Sequence, residues 1–130
     1  MSTATTASVS THILDTSIGR PAEGVAISLS ARSGQGGEWV TLGGSATDAD
    51  GRCKDLPALP EGTTHVRLDF ETETYFDKKK QAEAQQDAPR VRDSGAFFPE
   101  VAITFAVTPG EHYHVPLLLN PFGYSVYRGS

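Results

Sequence analysis

Four histidines and one arginine just beyond a turn carry most of the chemistry that this chain can offer. Histidine titrates near neutral pH, so each is a candidate acid, base or metal ligand. His112 and His114 stand two apart in a β-rich run. On a strand, that spacing sends both rings out of one face with Cα atoms roughly 6.5–7 Å apart. Such a pair can bind a metal if a third ligand approaches, or present one catalytic imidazole beside a supporting residue. The spacing alone does not choose between them. His12 lies on the strand face opposite Val9 and Ile13, where it either packs against a neighbour or faces a site. His65 alternates with charged residues and is expected to be exposed. Thr47-Asp48-Ala49-Asp50-Gly51-Arg52 has the opening of a calcium loop but lacks the later acidic ligand. A tight turn with Gly51 at positive φ explains it better. The guanidinium of Arg52 then lies in solvent or clamps an anion or carbonyl. Cys53 has no base partner in sequence and reads as a small core residue.

Short strands must position these groups. In residues 9–15, Val9, Thr11 and Ile13 share one face and Ser10, His12 and Leu14 the other. Val25, Ile27, Leu29 and Ala31 alternate next, after the turn signals Gly19, Pro21 and Gly24. Residues 39–42 form a third strand. Val66, Leu68 and Phe70 alternate with polar residues as in a half-buried strand, and Val101, Ile103, Phe105 and Val107 repeat the pattern. Residues 112–119 and 124–127 complete the series. Pro116 cannot donate to a ladder, so its strand has an edge or an irregularity there. About seven strands at this spacing predict an antiparallel sandwich. Residues 74–86 hold Asp77, three consecutive lysines, Gln, Ala and Glu, and predict one short helix with a solvated charged face.

Composition narrows the function classes. The 130 residues make one ordinary domain. With 38% hydrophobic and 21% charged residues, the chain can bury a core without disulfides or metal. A single cysteine excludes an internal disulfide and a thiolate-built zinc site. No apolar run approaches the ~20 residues of a membrane helix, so no membrane partner is expected. The net charge of −5 argues against a nucleic-acid partner. No Gly-x-Ser-x-Gly elbow, phosphate loop or dinucleotide fingerprint is present. Residues 1–8 are small and hydroxylated without the features of a secretory signal. They are expected to be a flexible lead to a single domain over 9–130, in a cytoplasmic protein.

Several segments together resemble one family. Ser10-Thr11-His12-Ile13-Leu14-Asp15 is similar to the opening strand of the 5-hydroxyisourate hydrolases, the transthyretin-like proteins of purine catabolism. Asp50-Gly51-Arg52 resembles their turn-plus-arginine motif, and Phe97-Phe98-Pro99-Glu100-Val101 their Phe-Phe-Pro-Glu segment. His112-Tyr113-His114-Val115-Pro116-Leu117-Leu118-Leu119 is close to the family signature. The terminal Tyr127-Arg128-Gly129-Ser130 resembles the tetrapeptide that separates the hydrolases from transthyretin itself. Residues 83–95 look longer than the family's usual link.

The resemblance implies an all-β, transthyretin-like (prealbumin-like) two-sheet antiparallel sandwich with one short helix. It implies a homotetramer, a dimer of dimers with active sites in a channel between dimers. It places His12, Arg52 and His114 at the catalytic positions, with Tyr127, Arg128, Gly129 and Ser130 lining the same site, and it implies no metal or other cofactor. No catalytic role is carried onto His112. The reaction implied is hydrolysis of the lactam bond of 5-hydroxyisourate, the alternative being a non-catalytic carrier of a small ligand. The two histidines can share the proton work while Arg52 holds the developing oxyanion. Which imidazole is base and which is acid is left open.

Overall fold

The computed structural model describes residues 6–34, 36–83 and 96–129. Nine strands and one helix lie among them: β1 (Ser8–Asp15), β2 (Arg20–Pro21), β3 (Ala26–Arg32), β4 (Val40–Ala46), β5 (Arg52–Cys53), β6 (His65–Phe70), α1 (Thr72–Glu83), β7 (Val101–Ala106), β8 (His112–Asn120) and β9 (Gly123–Val126). They form two sheets. The first runs β2-β1-β8-β9, with β5 also paired to β1, and the second runs β4-β3-β6-β7. The two sheets make the sandwich expected from the strand count.

The core lies between the sheets. Ile13, Leu117 and Leu119 point into it from the first sheet, and Ile27, Leu29, Val66, Leu68, Phe70 and Val101 from the second, all at most 2% exposed. Each large side chain so buried contributes roughly 1.5–3 kcal/mol. Alternation therefore leaves the even-numbered residues of β1 and β8 on the outer face of the first sheet. That face carries Ser8, Ser10 and His12 beside His112, His114 and Pro116.

One pairing runs the other way in this otherwise antiparallel sandwich. Every ladder is antiparallel except the central one, where β1 and β8 run parallel over eight residue pairs. A parallel pair needs a long crossover, and here the whole second sheet lies between the two strands in sequence. Local alternation carries no trace of that. β4 also runs on to Ala46, past the expected end at Leu42. Gly43 and Gly44, beyond the expected end, continue the strand across from a register shift at Leu29/Ser30. A Cβ on Gly44 would stand 2.5 Å from the Ile27 carbonyl oxygen, so only glycine lets the strands approach there.

The helix begins at Thr72, two residues before the expected start. Its first turn is fixed from outside: the Thr72 hydroxyl donates to the Phe98 carbonyl and the Glu73 N–H to that of Pro99. Phe76 is buried in the core, and the Tyr75 hydroxyl donates to the buried Asp15 carboxylate at 2.7 Å. Residues 84–86 of the expected helix and the 84–95 part of the long link fall outside the described residues. The start of the folded unit lies earlier than Val9. Ala7 is buried at 5% exposure, Ser8 opens β1, and the Thr6 carbonyl accepts the Gly110 N–H. No described helix is long and apolar enough to cross a membrane.

Candidate active site

The parallel register of β1 with β8 builds the site. Ser8 stands beside His112, Ser10 beside His114 and His12 beside Pro116. His12 and His114 are therefore diagonal neighbours, with ring centroids 6.5 Å apart and planes inclined by 30°. On the other side of β1, His12 pairs directly with Arg52 of β5. Two histidines and a guanidinium, from three segments distant in sequence, thus share one exposed face.

Arg52 is held there by its turn. The Asp48 carboxylate accepts the N–H groups of Asp50 and Arg52, at 2.9 and 3.0 Å. Those bonds keep the Asp48 carboxyl below its ordinary titration range. Gly51 sits at φ 76°, and a Cβ on it would lie 2.4 Å from the Ile13 carbonyl oxygen. Glycine lets the turn press onto β1, where the Ile13 N–H donates to the Gly51 carbonyl at 2.8 Å. The turn expected from sequence is thus the device that sets Arg52 against His12. Cys53 is buried, as expected of a core residue, and burial pushes its thiol up, so it is a poor nucleophile.

His114 is a half-buried imidazole. Burial, with neighbouring His12, His112 and Arg52, lowers its pKa from the ordinary value. Its Nδ1 lies 2.9 Å from Ser10 Oγ. Its Nε2 makes no hydrogen bond among the described residues, so a neutral ring presents that nitrogen to the face. His112, two residues away, is bounded at both nitrogens by serine: Nδ1 is 2.6 Å from Ser8 Oγ and Nε2 2.9 Å from Ser10 Oγ. These serines were not singled out from sequence. Ser8 and Ser10 precede His12 at the same period of two that links His112, His114 and Pro116, but only the pairing of β1 with β8 joins the two series.

The tail meets the same face in part. The Gly129 N–H donates to the His114 carbonyl at 2.8 Å, and the Tyr127 N–H to that of Pro116 at 3.4 Å. Between Leu117↔Val126 and His114↔Gly129 the ladder is interrupted, which is the irregularity that Pro116 predicts. Arg128 turns the other way. Its guanidinium stacks 4.6 Å from the ring centre of buried Tyr113 and pairs with Glu111 at 3.2 Å, on the face opposite the histidines. Ser130 lies outside the described residues. His65 sits in the second sheet, paired with Ala106 and Arg32, away from the cluster. Among the described residues, no group of three or more His, Cys, Asp or Glu is placed to hold one metal ion.

A face that joins a neutral histidine, a second histidine and a fixed cation can move protons and stabilise a developing oxyanion. Comparison with known proteins meets this geometry. The HIUase/Transthyretin family model matches residues 9–129. The chain is 40% identical over 124 residues to the 5-hydroxyisourate hydrolase of Salmonella dublin, covering 94% of this chain and 80% of that protein. It is 41% identical to the uric acid degradation bifunctional protein TTL of Arabidopsis thaliana, over 94% of this chain but only 37% of the plant protein's length. Among solved structures, the 5-hydroxyisourate hydrolase of Klebsiella pneumoniae superposes with a TM-score of 0.67 at 38% identity, over 94% of this chain and 98% of that one.

Proposed function

Because this chain belongs to the HIUase/Transthyretin family, we propose that it hydrolyses 5-hydroxyisourate and that His12, Arg52 and His114 do the work. The observation that carries the assignment of residues is the meeting of these three side chains on one outer face. Water attacks the C6 carbonyl, the ring opens between C6 and N1, and the product is 2-oxo-4-hydroxy-4-carboxy-5-ureidoimidazoline. His114 is the base that takes the proton of water, since burial and then its neighbours favour the neutral ring. His12 is the acid that protonates the leaving N1. Arg52 stays cationic and holds the C6 oxyanion as it forms. Tyr127, Gly129 and Ser130 border the substrate from the tail. Arg128, turned toward Tyr113 in this conformation, reaches the site only by leaving Glu111. That exposed ion pair holds it by no more than about 1 kcal/mol.

The folded unit works as a single domain in a homotetramer, a dimer of dimers with its sites between dimers. In keeping with this, Phe97 and Phe122 are 70% and 77% exposed, large apolar side chains that assembly would cover. We place it in the cytoplasm. The test is direct. Purified protein should accelerate the loss of freshly generated 5-hydroxyisourate, followed by ultraviolet absorbance, above the spontaneous rate. No acceleration would overturn the assignment.

A further inference from the structure

Three side chains outside the catalytic trio form an unbroken line with His114 along the face. Ser8 Oγ lies 2.6 Å from His112 Nδ1, His112 Nε2 lies 2.9 Å from Ser10 Oγ, and Ser10 Oγ lies 2.9 Å from His114 Nδ1. Hydroxyl and imidazole alternate, and each can donate at one end and accept at the other. The line starts at His114, half-buried, and ends at the exposed Ser8. We infer that Ser10, His112 and Ser8 are a proton relay that recharges His114 from the rim of the site.

The chain of hydrogen bonds has two polarities. In one, His114 Nδ1–H donates to Ser10, the Ser10 hydroxyl to His112 Nε2, and His112 Nδ1–H to Ser8. His114 Nε2 then carries a lone pair and is a base. In the other, every donor and acceptor is exchanged, His114 Nε2–H is present, and the ring is an acid. Passage from the first to the second is balanced. A proton from water enters at His114 Nε2, the Nδ1 proton passes to Ser10, the Ser10 proton to His112 Nε2, and the Nδ1 proton of His112 to Ser8. Ser8 releases its own proton to solvent. Release of the His114 Nε2 proton to solvent, after His12 has protonated the leaving nitrogen, runs the same steps backward and readies His114 for the next turnover.

Electrostatics gives the relay its value. Without it, a proton taken by His114 must stay on the ring as an imidazolium. That charge would face Arg52 from β5, His12 from β1 and His112 on its own strand, each of which disfavours it. A ring that passes one proton outward as it takes another stays neutral. Ser10 and His112 are thus positioning and relay residues rather than groups that touch substrate.

The relay rests on the hydrolase reading, and the test separates the two. If wild-type protein does not accelerate 5-hydroxyisourate loss, that reading fails. The relay is then decided by long-range 1H–15N spectra of the histidines. There, Ser10→Ala should shift the His114 tautomer, and an unchanged tautomer overturns it. If the wild type is active, Ser10→Ala should lower kcat about 10- to 100-fold with KM within about twofold, less than the full worth of a general base. The proton inventory in mixed H2O and D2O should pass from bowed to linear. Ser10→Thr restores the hydroxyl and should restore both. His112→Gln separates transfer from scaffolding, since an amide can keep the bond to Ser10 but cannot pass a proton. It should lose as much kcat as Ser10→Ala. Near-wild-type kcat and a bowed inventory in His112→Gln would overturn the relay.

Discussion

Gly129→Ala tests how closely the tail controls His114. A Cβ at residue 129 would stand 2.9 Å from His114 Cδ2, and 3.1 and 3.2 Å from Cγ and Cδ of Pro116. Carbon atoms in contact settle about 3.5–4.0 Å apart, so something must yield by about 0.6 Å or more. Pro116 is buried within β8 and has a rigid ring, which leaves the imidazole or the tail to move. The imidazole is tied to Ser10 at Nδ1, so swinging it away weakens a bond with a net worth of about 0.5–1.5 kcal/mol. Lifting the tail instead breaks the Gly129 N–H bond to the His114 carbonyl. Displacing a catalytic group by ~1 Å costs about 10²-fold, so kcat should fall roughly 10- to 100-fold. Alanine adds no backbone strain here, because Gly129 is not among the glycines at positive φ. Its side chain also replaces no buried atom of the core, and thermal unfolding should shift by only a degree or two. The ultraviolet decay assay reads the first effect and a melting curve the second. A mutant with kcat within about twofold of wild type would refute the contact as a control on His114.

Other outcomes follow from the same face. His114→Ala and His12→Ala should each lower kcat about 10²–10⁴-fold in the same assay, while His65→Ala, in the other sheet, should change little. The acid limb of kcat/KM should fall below the ordinary histidine value of 6.5, because the folded protein holds the pKa of His114 down. Stability has the matching sign. Unfolded His114 takes up a proton near 6.5 and the folded ring does so only at lower pH, so its contribution is present above 6.5 and lost as pH falls through the folded value. Denaturant melts of wild type and His114→Ala across that range should show the difference shrinking toward acid. Deleting residues 127–130 should reduce turnover severely while light scattering still finds the wild-type assembly, since the tail contributes little core. Prolonged treatment with a strong chelator should leave turnover intact, and restoration by zinc after loss would give the chemistry to a metal.

Alternation alone located the core. Ile13, Leu29 and Leu68 face inward because apolar residues at a period of two can satisfy only a strand with one wet side. The sharp turn at Gly51, the break at Pro116 and the buried Cys53 were legible for similar reasons, since each depends on the residue's own backbone or size. The motifs around His12, Arg52 and His114 were readable as a family pattern, although nothing local to them says that they meet. Where reading failed, distant partners decided. Gly43 and Gly44 stay in a strand because β3 closes over them, and α1 starts at Thr72 because the carbonyls of Phe98 and Pro99 cap it. The same holds for the site. Ser8 and Ser10 gain a role only through a parallel register between strands about a hundred residues apart, and Arg128 turns from the histidine face to Glu111 where the tail pairs Gly129 with His114. Side-chain alternation states which residues share a face of one strand. Which strand lies beside it, and in which direction, is settled by how the two sheets together bury their apolar sides, and no short stretch of sequence encodes that.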